Sequence, residues 1–280
     1  MVRLLSVSVV LSLLLCATAL AGTPLRVASH NIHYILPNNP DDDWETRRDA
    51  VIAVIDDMAA DILAFQEMES FVGGVNHQNL QLDWVLEHHP DYNAGAFSDN
   101  ADQFPITQPI LYRRDRFSLQ TQGFFFFSET PDVIYSRQWD GRYPYFVSWV
   151  ELFDHTNDRN LFVFNFHNDF ASRSNRRQSS ELTAERIEQI AGETPVILLG
   201  DFNAPVWFRE VERFEPKLTP IKPGGSTNRI LGLKLLPAID HILISDDFVA
   251  DTDVQVWDRR YGGEYPSDHF PISADIRFSD

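Results

Sequence analysis

Cysteine is almost missing from this chain: among 280 residues there is one, at position 16, inside an apolar leader. Disulfide scaffolds, thiolate zinc sites and cysteine nucleophiles are thereby excluded for the rest of the sequence, whose stability must come from core burial. Positive charge is scarce too. Lys and Arg number 23 against 41 Asp and Glu, a formal net charge of −18. Such a chain repels a polyanion unless basic residues gather locally, so general nucleic-acid binding is disfavoured. Two short basic runs exist, Arg113-Arg114-Asp115-Arg116 and Arg173-Ser174-Asn175-Arg176-Arg177. Each reads first as a solvated loop or helix start. There is no repeat, low-complexity tract or Gly/Ser linker, and hydrophobic residues make up 44%, enough for one sizeable core.

The leader is different in kind. A basic start, Met1-Val2-Arg3, precedes an apolar stretch to Cys16, and Ala17-Thr18-Ala19-Leu20-Ala21 offers an Ala-x-Ala cleavage site. This predicts a signal peptide over residues 1–21 and a single domain over residues 22–280, exported to the periplasm or secreted. Leu13-Leu14-Leu15-Cys16 also admits a lipoprotein reading. A membrane span needs a longer apolar run, so none is expected. Loss of Arg3 makes the remainder one unit more negative.

What is present is a repeated device. Val196-Ile197-Leu198-Leu199 reads as a buried strand, and it ends in Gly200-Asp201-Phe202-Asn203. Asp201 and Asn203 alternate, so an extended backbone points both to one side. An Asx turn at a strand end gives the same letters, so this motif is not decisive by itself. Three further apolar strands end alike: residues 25–32 in Asn31, residues 61–67 in Gln66-Glu67, and residues 265–272 start from Asp268-His269. Four such ends suggest strand termini gathered at one mouth, where catalytic groups on a rigid scaffold are expected.

Helices are predicted over residues 44–60, 78–88 and 174–191. In the first, Val51, Ile55, Met58 and Ala59 share a face, with Arg47, Arg48, Asp49 and Asp56 elsewhere. Strands are predicted over residues 109–112, 117–127, 146–153, 161–167, 239–245, 253–256 and 272–278. This succession suggests an α/β fold of two packed sheets flanked by helices. The run Phe124-Phe125-Phe126-Phe127 reads as a strand buried on both faces, ahead of a membrane-touching hairpin.

The ordered set Asn31, Gln66-Glu67, Asn165-Phe166-His167, Gly200-Asp201-Phe202-Asn203, Ile239-Asp240-His241 and Ser267-Asp268-His269 resembles the endonuclease/exonuclease/phosphatase superfamily of deoxyribonuclease-like, metal-dependent phosphohydrolases. The resemblance runs from Val27 to about Ile276. It implies a four-layered α/β sandwich, two mostly antiparallel sheets flanked by helices, with the site at one edge. It also implies that Asn31, Glu67 and Asp268 bind a divalent metal, Mg²⁺ with Mn²⁺ as the alternative. Asp201 would orient or deprotonate water, Asn203 would donate to a phosphoryl oxygen, and Asp240 would fix His269, an acid/base or phosphate donor. His167 would supply a second imidazole, and Tyr112, Arg114 and Arg176 would touch substrate. His30, His33, His77, His88, His89 and His155 show no ligand spacing, and His241 is expected to point away from Asp240.

Departures fall outside the metal and water machinery. The chain reads Phe166-His167-Asn168-Asp169 where many relatives have Thr before the histidine and Leu-Asp after it. It reads Tyr143-Pro144-Tyr145 where a branch with a similar Gly123–Asp132 segment has Pro-Arg. The interval from Asn203 to Asp240 is short. The expected activity is exported, magnesium-dependent phosphodiester hydrolysis, with DNA or RNA the first substrate and only transient contact to it. The alternatives are a small or lipid phosphoester, sphingomyelinase-like, and a non-catalytic binding protein on the same scaffold. A monomer without a protein partner is expected.

Overall fold

The computed structural model describes residues 22–35, 44–68, 79–97, 108–215, 217–229 and 236–279. The predicted signal segment and His77 lie outside these residues. In chain order the elements are β1 (Leu25–Asn31), α1 (Trp44–Met58), β2 (Ile62–Gln66), α2 (Leu80–His88), β3 (Tyr92–Gly95), β4 (Ile110–Arg113), β5 (Phe117–Phe126) and β6 (Phe146–Asp154). There follow β7 (Arg159–His167), α3 (Arg173–Ala191), β8 (Val196–Asp201), α4 (Arg209–Glu212), β9 (Leu218–Pro220), β10 (Asp240–Ser245), β11 (Phe248–Ala250), β12 (Gln255–Val256) and β13 (Ile272–Phe278).

Two sheets form. One runs β11-β13-β1-β2-β4-β3, with β12 also on β13, and the other runs β5-β6-β7-β8-β10-β9. Each has a single parallel pair, β1 with β2 and β7 with β8. A parallel pair needs a crossover, and α1 and α3 supply the two. Both pairs therefore send their carboxyl ends the same way as their neighbours' polar termini.

Side-chain alternation builds four layers. Leu25, Val27, Ile62, Ala64, Leu161, Val163, Ile197, Leu199, Ile242 and Ile244 face inward and fill the space between the sheets. The alternate residues Ala28, Leu63 and Phe65 pack under α1 and α2, with Val51, Ile55 and Met58. Phe162, Phe164, Phe166 and Leu198 pack under α3 and α4. Each fully buried aliphatic or aromatic side chain contributes roughly 1.5–3 kcal/mol, which is how a chain without disulfides holds together.

Some details differ from expectation. Arg47, expected on the polar face of α1, is buried; it donates to the carbonyls of Ile32, His33 (2.6 Å) and Pro266 (3.0 Å). Its charge is tolerated because those carbonyls solvate it. Ala59 is exposed beyond the helix end, at φ 44°. Phe125 and Phe127 bury against the α3 layer, and Phe126 buries against Phe146. Phe124 is half-buried beside them, so the run itself packs against the protein. Strands β3, β9 and β11 and the single turn α4 escaped the sequence pattern.

Candidate active site

The inward face that is apolar over most of each strand turns polar at one end. In β1 the sequence Leu25, Val27 continues as Ser29, Asn31; in β2, Ile62, Ala64 continue as Gln66. In β7, Leu161, Val163 continue as Asn165, His167, and in β8, Ile197, Leu199 continue as Asp201. Asp240 begins the inward row of β10.

Register then sets these residues side by side. Asn31 pairs with Gln66, His167 with Asp201, and Asp201 with Asp240. Gly200 makes the β7–β8 approach possible: its φ is 139°, and a Cβ there would sit 1.9 Å from the Phe166 carbonyl oxygen. Only glycine fits.

Just below the mouth lies a buried polar layer. Gln66 Nε2 donates to Asn165 Oδ1 at 2.7 Å and to Ser29 Oγ at 3.1 Å. Asn165 Nδ2 donates back to the Phe65 carbonyl at 2.7 Å. Every bond there joins or braces the two sheets, and fully paired buried amides of this kind fix one packing arrangement.

Above it the charged groups converge. Asn31 Nδ2 donates to Glu67 Oε1 at 3.2 Å and to Asp201 Oδ2 at 3.1 Å. His33 Nδ1 lies 3.4 Å from Glu67 Oε2 and 3.6 Å from Asp268 Oδ1. His167 Nε2 is 3.6 Å from Glu67 and 3.9 Å from Asp201. His269 Nδ1 is 3.1 Å from Asp240 Oδ2, and its Nε2 is 3.9 Å from Asp201. The backbone N–H of Asn203 donates to Asp201 Oδ1 at 2.8 Å, and its side-chain amide donates to the Asn168 carbonyl at 2.9 Å. Ser267 Oγ donates to the Asn31 carbonyl at 2.7 Å, tying the Asp268-His269 segment to β1. His33, Glu67 and Asn203 all have positive φ, 60°, 56° and 48°. Such backbone costs of order 1–3 kcal/mol for a non-glycine residue and collects where function requires it.

Electrostatics follow from this crowding. Burial pushes the Glu67 carboxyl up, but the His33 bond, the His167 and His269 charges and the Asn31 amide outweigh it and hold it at about 2. Burial first, then the neighbouring Asp240 charge, raise Asp201. Burial pulls His269 down, yet Asp240 and Asp201 raise it well above its ordinary value. His167 is lowered by burial, with Glu67 opposing.

A family model for the endonuclease/exonuclease/phosphatase family matches residues 28–269, which run from β1 to the segment just before β13. The chain belongs to the endonuclease/exonuclease/phosphatase family. It is similar to a family member from Bacteroides thetaiotaomicron, 27% identical, covering 92% of this chain and 99% of that one with a TM-score of 0.76. It is also similar to a mannosyl-6-phosphatase of the same organism, 26% identical, covering 91% and 100%, TM-score 0.74. An uncharacterized protein of Acanthamoeba polyphaga mimivirus is 28% identical over 171 residues, 57% of this chain. The chain spans 59% of that relative's length. At family level the protein is a metal-dependent phosphoric ester hydrolase.

Within this family frame, the fold brings eight of the expected residues to one mouth: Asn31, Glu67, His167, Asp201, Asn203, Asp240, Asp268 and His269. Arg176 stands behind them, donating from its guanidinium to the carbonyls of Asp169 (2.9 Å) and Phe170 (3.1 Å), so it braces the loop after β7. Tyr112 and Arg114 are a correction. In β4, Tyr112 pairs with Ile62 at the start of β2, the end opposite Gln66, and its ring is buried between the sheets. Arg114 follows it into an exposed turn at that far end.

His33 is the residue that spacing missed. It sits beside Glu67 and Asp268 because the chain turns at positive φ after β1. The one available signal was its place two residues beyond Asn31. His241 turns outward, its Nε2 2.9 Å from the Ala204 carbonyl oxygen.

Proposed function

We propose that this protein hydrolyses a small phosphoester with Mg²⁺, or Mn²⁺ in its place, and that residues 1–21 direct its export. The observation that carries the reading is the meeting of Asn31 and Glu67 from one sheet with Asp201, Asp240 and His167 from the other.

The donor set fits a hard divalent cation. Glu67, Asp201, Asp240 and Asp268 bring four carboxyl groups to one mouth, and Glu67 stays ionised to low pH. Oxygen donors of this kind suit Mg²⁺. Glu67, Asn31 and Asp268 would hold it, and bound there it would neutralise charge on the phosphoryl oxygens. Asp201, Asp240 and His269 also present ligand atoms within 4.8 Å of one another. We assign that trio to proton work because His269 Nδ1 already faces Asp240, the arrangement that orients an imidazole for catalysis.

Each remaining group has a task. Asp201, fixed by the Asn203 N–H and raised in pKa, takes a proton from the attacking water. His269 and His167 donate toward the phosphoryl oxygens, and Asp240 keeps His269 charged and aimed. The second amide hydrogen of Asn203 would serve the same oxygens.

Small substrates are favoured over nucleic acid. Neither basic run supplies a track at the mouth: Arg113 pairs with Asp91, and Arg116 with Asp61 and Asp154, both at 3.0 Å. Arg173 and Arg177 are spent on Glu210. With a net charge of −18, neither of these two runs offers a stripe to attract a polyanion. The buried Phe run removes the support for lipid, and likeness to a sugar-phosphate phosphatase supports a small ester. The test is turnover of phosphomonoester and phosphodiester chromogens in Mg²⁺ and in EDTA, by wild type and Asp201→Asn. Metal-dependent hydrolysis lost in the variant is expected; equal turnover in EDTA would overturn the reading.

A further inference from the structure

A wall of aromatic rings leads out from the phosphate end of the mouth. Tyr145 meets His167 edge-on, with ring centroids 4.7 Å apart. Tyr143 stands 6.0 Å beyond Tyr145, and Phe170 is 6.4 Å from Tyr143 at a 34° tilt. The two outer rings are open to solvent, Tyr143 at 53% and Phe170 at 57%.

These exposed rings are held firmly. The wholly buried Asp169 accepts from the backbone N–H of Arg142 on one side and from those of Ala171 and Ser172, both at 2.7 Å, on the other. One carboxylate thus clamps both loops, the one carrying Tyr143 and the one carrying Phe170. Arg176 adds its bonds to the Asp169 and Phe170 carbonyls. Fixing two rings in water gains the fold no burial, and an adjoining pair of them beside a polar site marks a contact surface.

We propose that Tyr143 and Phe170, backed by Tyr145, form a shelf that receives the ring of the substrate's leaving alcohol. This deepens the small-phosphoester reading and rests on it for the direction of the substrate. The shared chemistry is an uncharged ring with a flat or C–H-rich face joined to phosphate, supplied by a hexose phosphate or a nucleoside phosphate.

The experiment uses Tyr143→Ala, Phe170→Ala and the double variant, with melting temperature checked first. Substrates are glucose 6-phosphate and thymidine 5′-monophosphate, with glycerol 3-phosphate as the ring-free control. The double variant should lose about tenfold in kcat/KM on a ring-bearing ester, mainly through KM, as stacking on an aromatic face predicts. Glycerol 3-phosphate should be unaffected. Loss on the hexose ester or on the nucleotide alone identifies the source of the ring. Equal losses on all three, or none, would overturn the shelf. A second readout needs no turnover: saturation-transfer NMR of each ester with the Asp201→Asn protein in Mg²⁺, with and without the two ring substitutions. Ring protons that take up saturation only when Tyr143 and Phe170 are present support the shelf, even if no ester is hydrolysed. Metal-dependent hydrolysis with no such difference sinks the shelf and leaves the hydrolase reading standing.

Discussion

At Gly200 a single missing Cβ decides whether two strands meet. Alanine there must push against the Phe166 backbone and adopt a disfavoured φ. Gly200→Ala is expected to cost about 2–4 kcal/mol in denaturant unfolding. Asp240 acts through another residue. Asp240→Asn keeps the shape but removes the charge that sustains the His269 imidazolium, so kcat should fall about 10²–10⁴-fold with little change in melting temperature. Retention of wild-type kcat would remove His269 from the proton work. The two residues also show what letters reveal. Gly200 and Asp201 stood in the sequence as punctuation after an apolar run, with Asp201 alternating with Asn203, whereas Asp240 came only from the family resemblance. His33 could not be read that way, since nothing in its neighbourhood encodes the positive φ that swings it toward Glu67. Tyr112 was carried over from the resemblance alone, and which end of the sheet it occupies depends on its pairing with Ile62.

Among the elements, β1 and α1 share a load that the apolar pattern concealed. Arg47 reaches from α1 to the carbonyls of Ile32, His33 and Pro266, so one guanidinium holds the turn after β1 and the segment before Asp268. Arg47→Met leaves three carbonyls without that donor and should destabilise by about 3 kcal/mol or more. It should also weaken Mg²⁺ binding in calorimetry, because both anchored segments carry candidate ligands. On the outer face of β1, His30 is buried with no hydrogen-bond partner on either ring nitrogen. Burial, then the charges of Arg47 and His269, lower its pKa to about 3. The unfolded chain takes up that proton near pH 6.5 and the native protein cannot. The contribution of His30 to stability is therefore full above pH 6.5 and drains as pH falls toward 3, by about 2 kcal/mol at pH 5. Denaturant unfolding in EDTA at pH 7 and pH 5 should show that loss in wild type and not in His30→Leu. Long elements were legible because their apolar spacing repeats several times. The short edge strands β3, β9 and β11 were not, since three or four residues cannot display a period.

For the whole molecule, the governing fact is an excess of negative charge with four carboxyl groups drawn into one opening. A cation bound there favours the native state over the unfolded one by mass action. Free Mg²⁺ at a hundred times its dissociation constant should add about 2.7 kcal/mol to unfolding, and Glu67→Gln should abolish the gain. A melting temperature indifferent to Mg²⁺ in wild type would argue against a bound metal. The four-layer plan itself was readable from the alternation of strands and helices. What could not be read was how the two sheets are turned against each other, which is a property of neither sheet alone. The bond between Gln66 and Asn165 joins the two sheets. It cannot exist until the two halves have docked, and it lies directly beneath every group the chemistry needs. Because Asn31 and Glu67 belong with one sheet and His167, Asp201 and Asp240 with the other, two formed but undocked sheets would hold every one of these side chains and no common mouth.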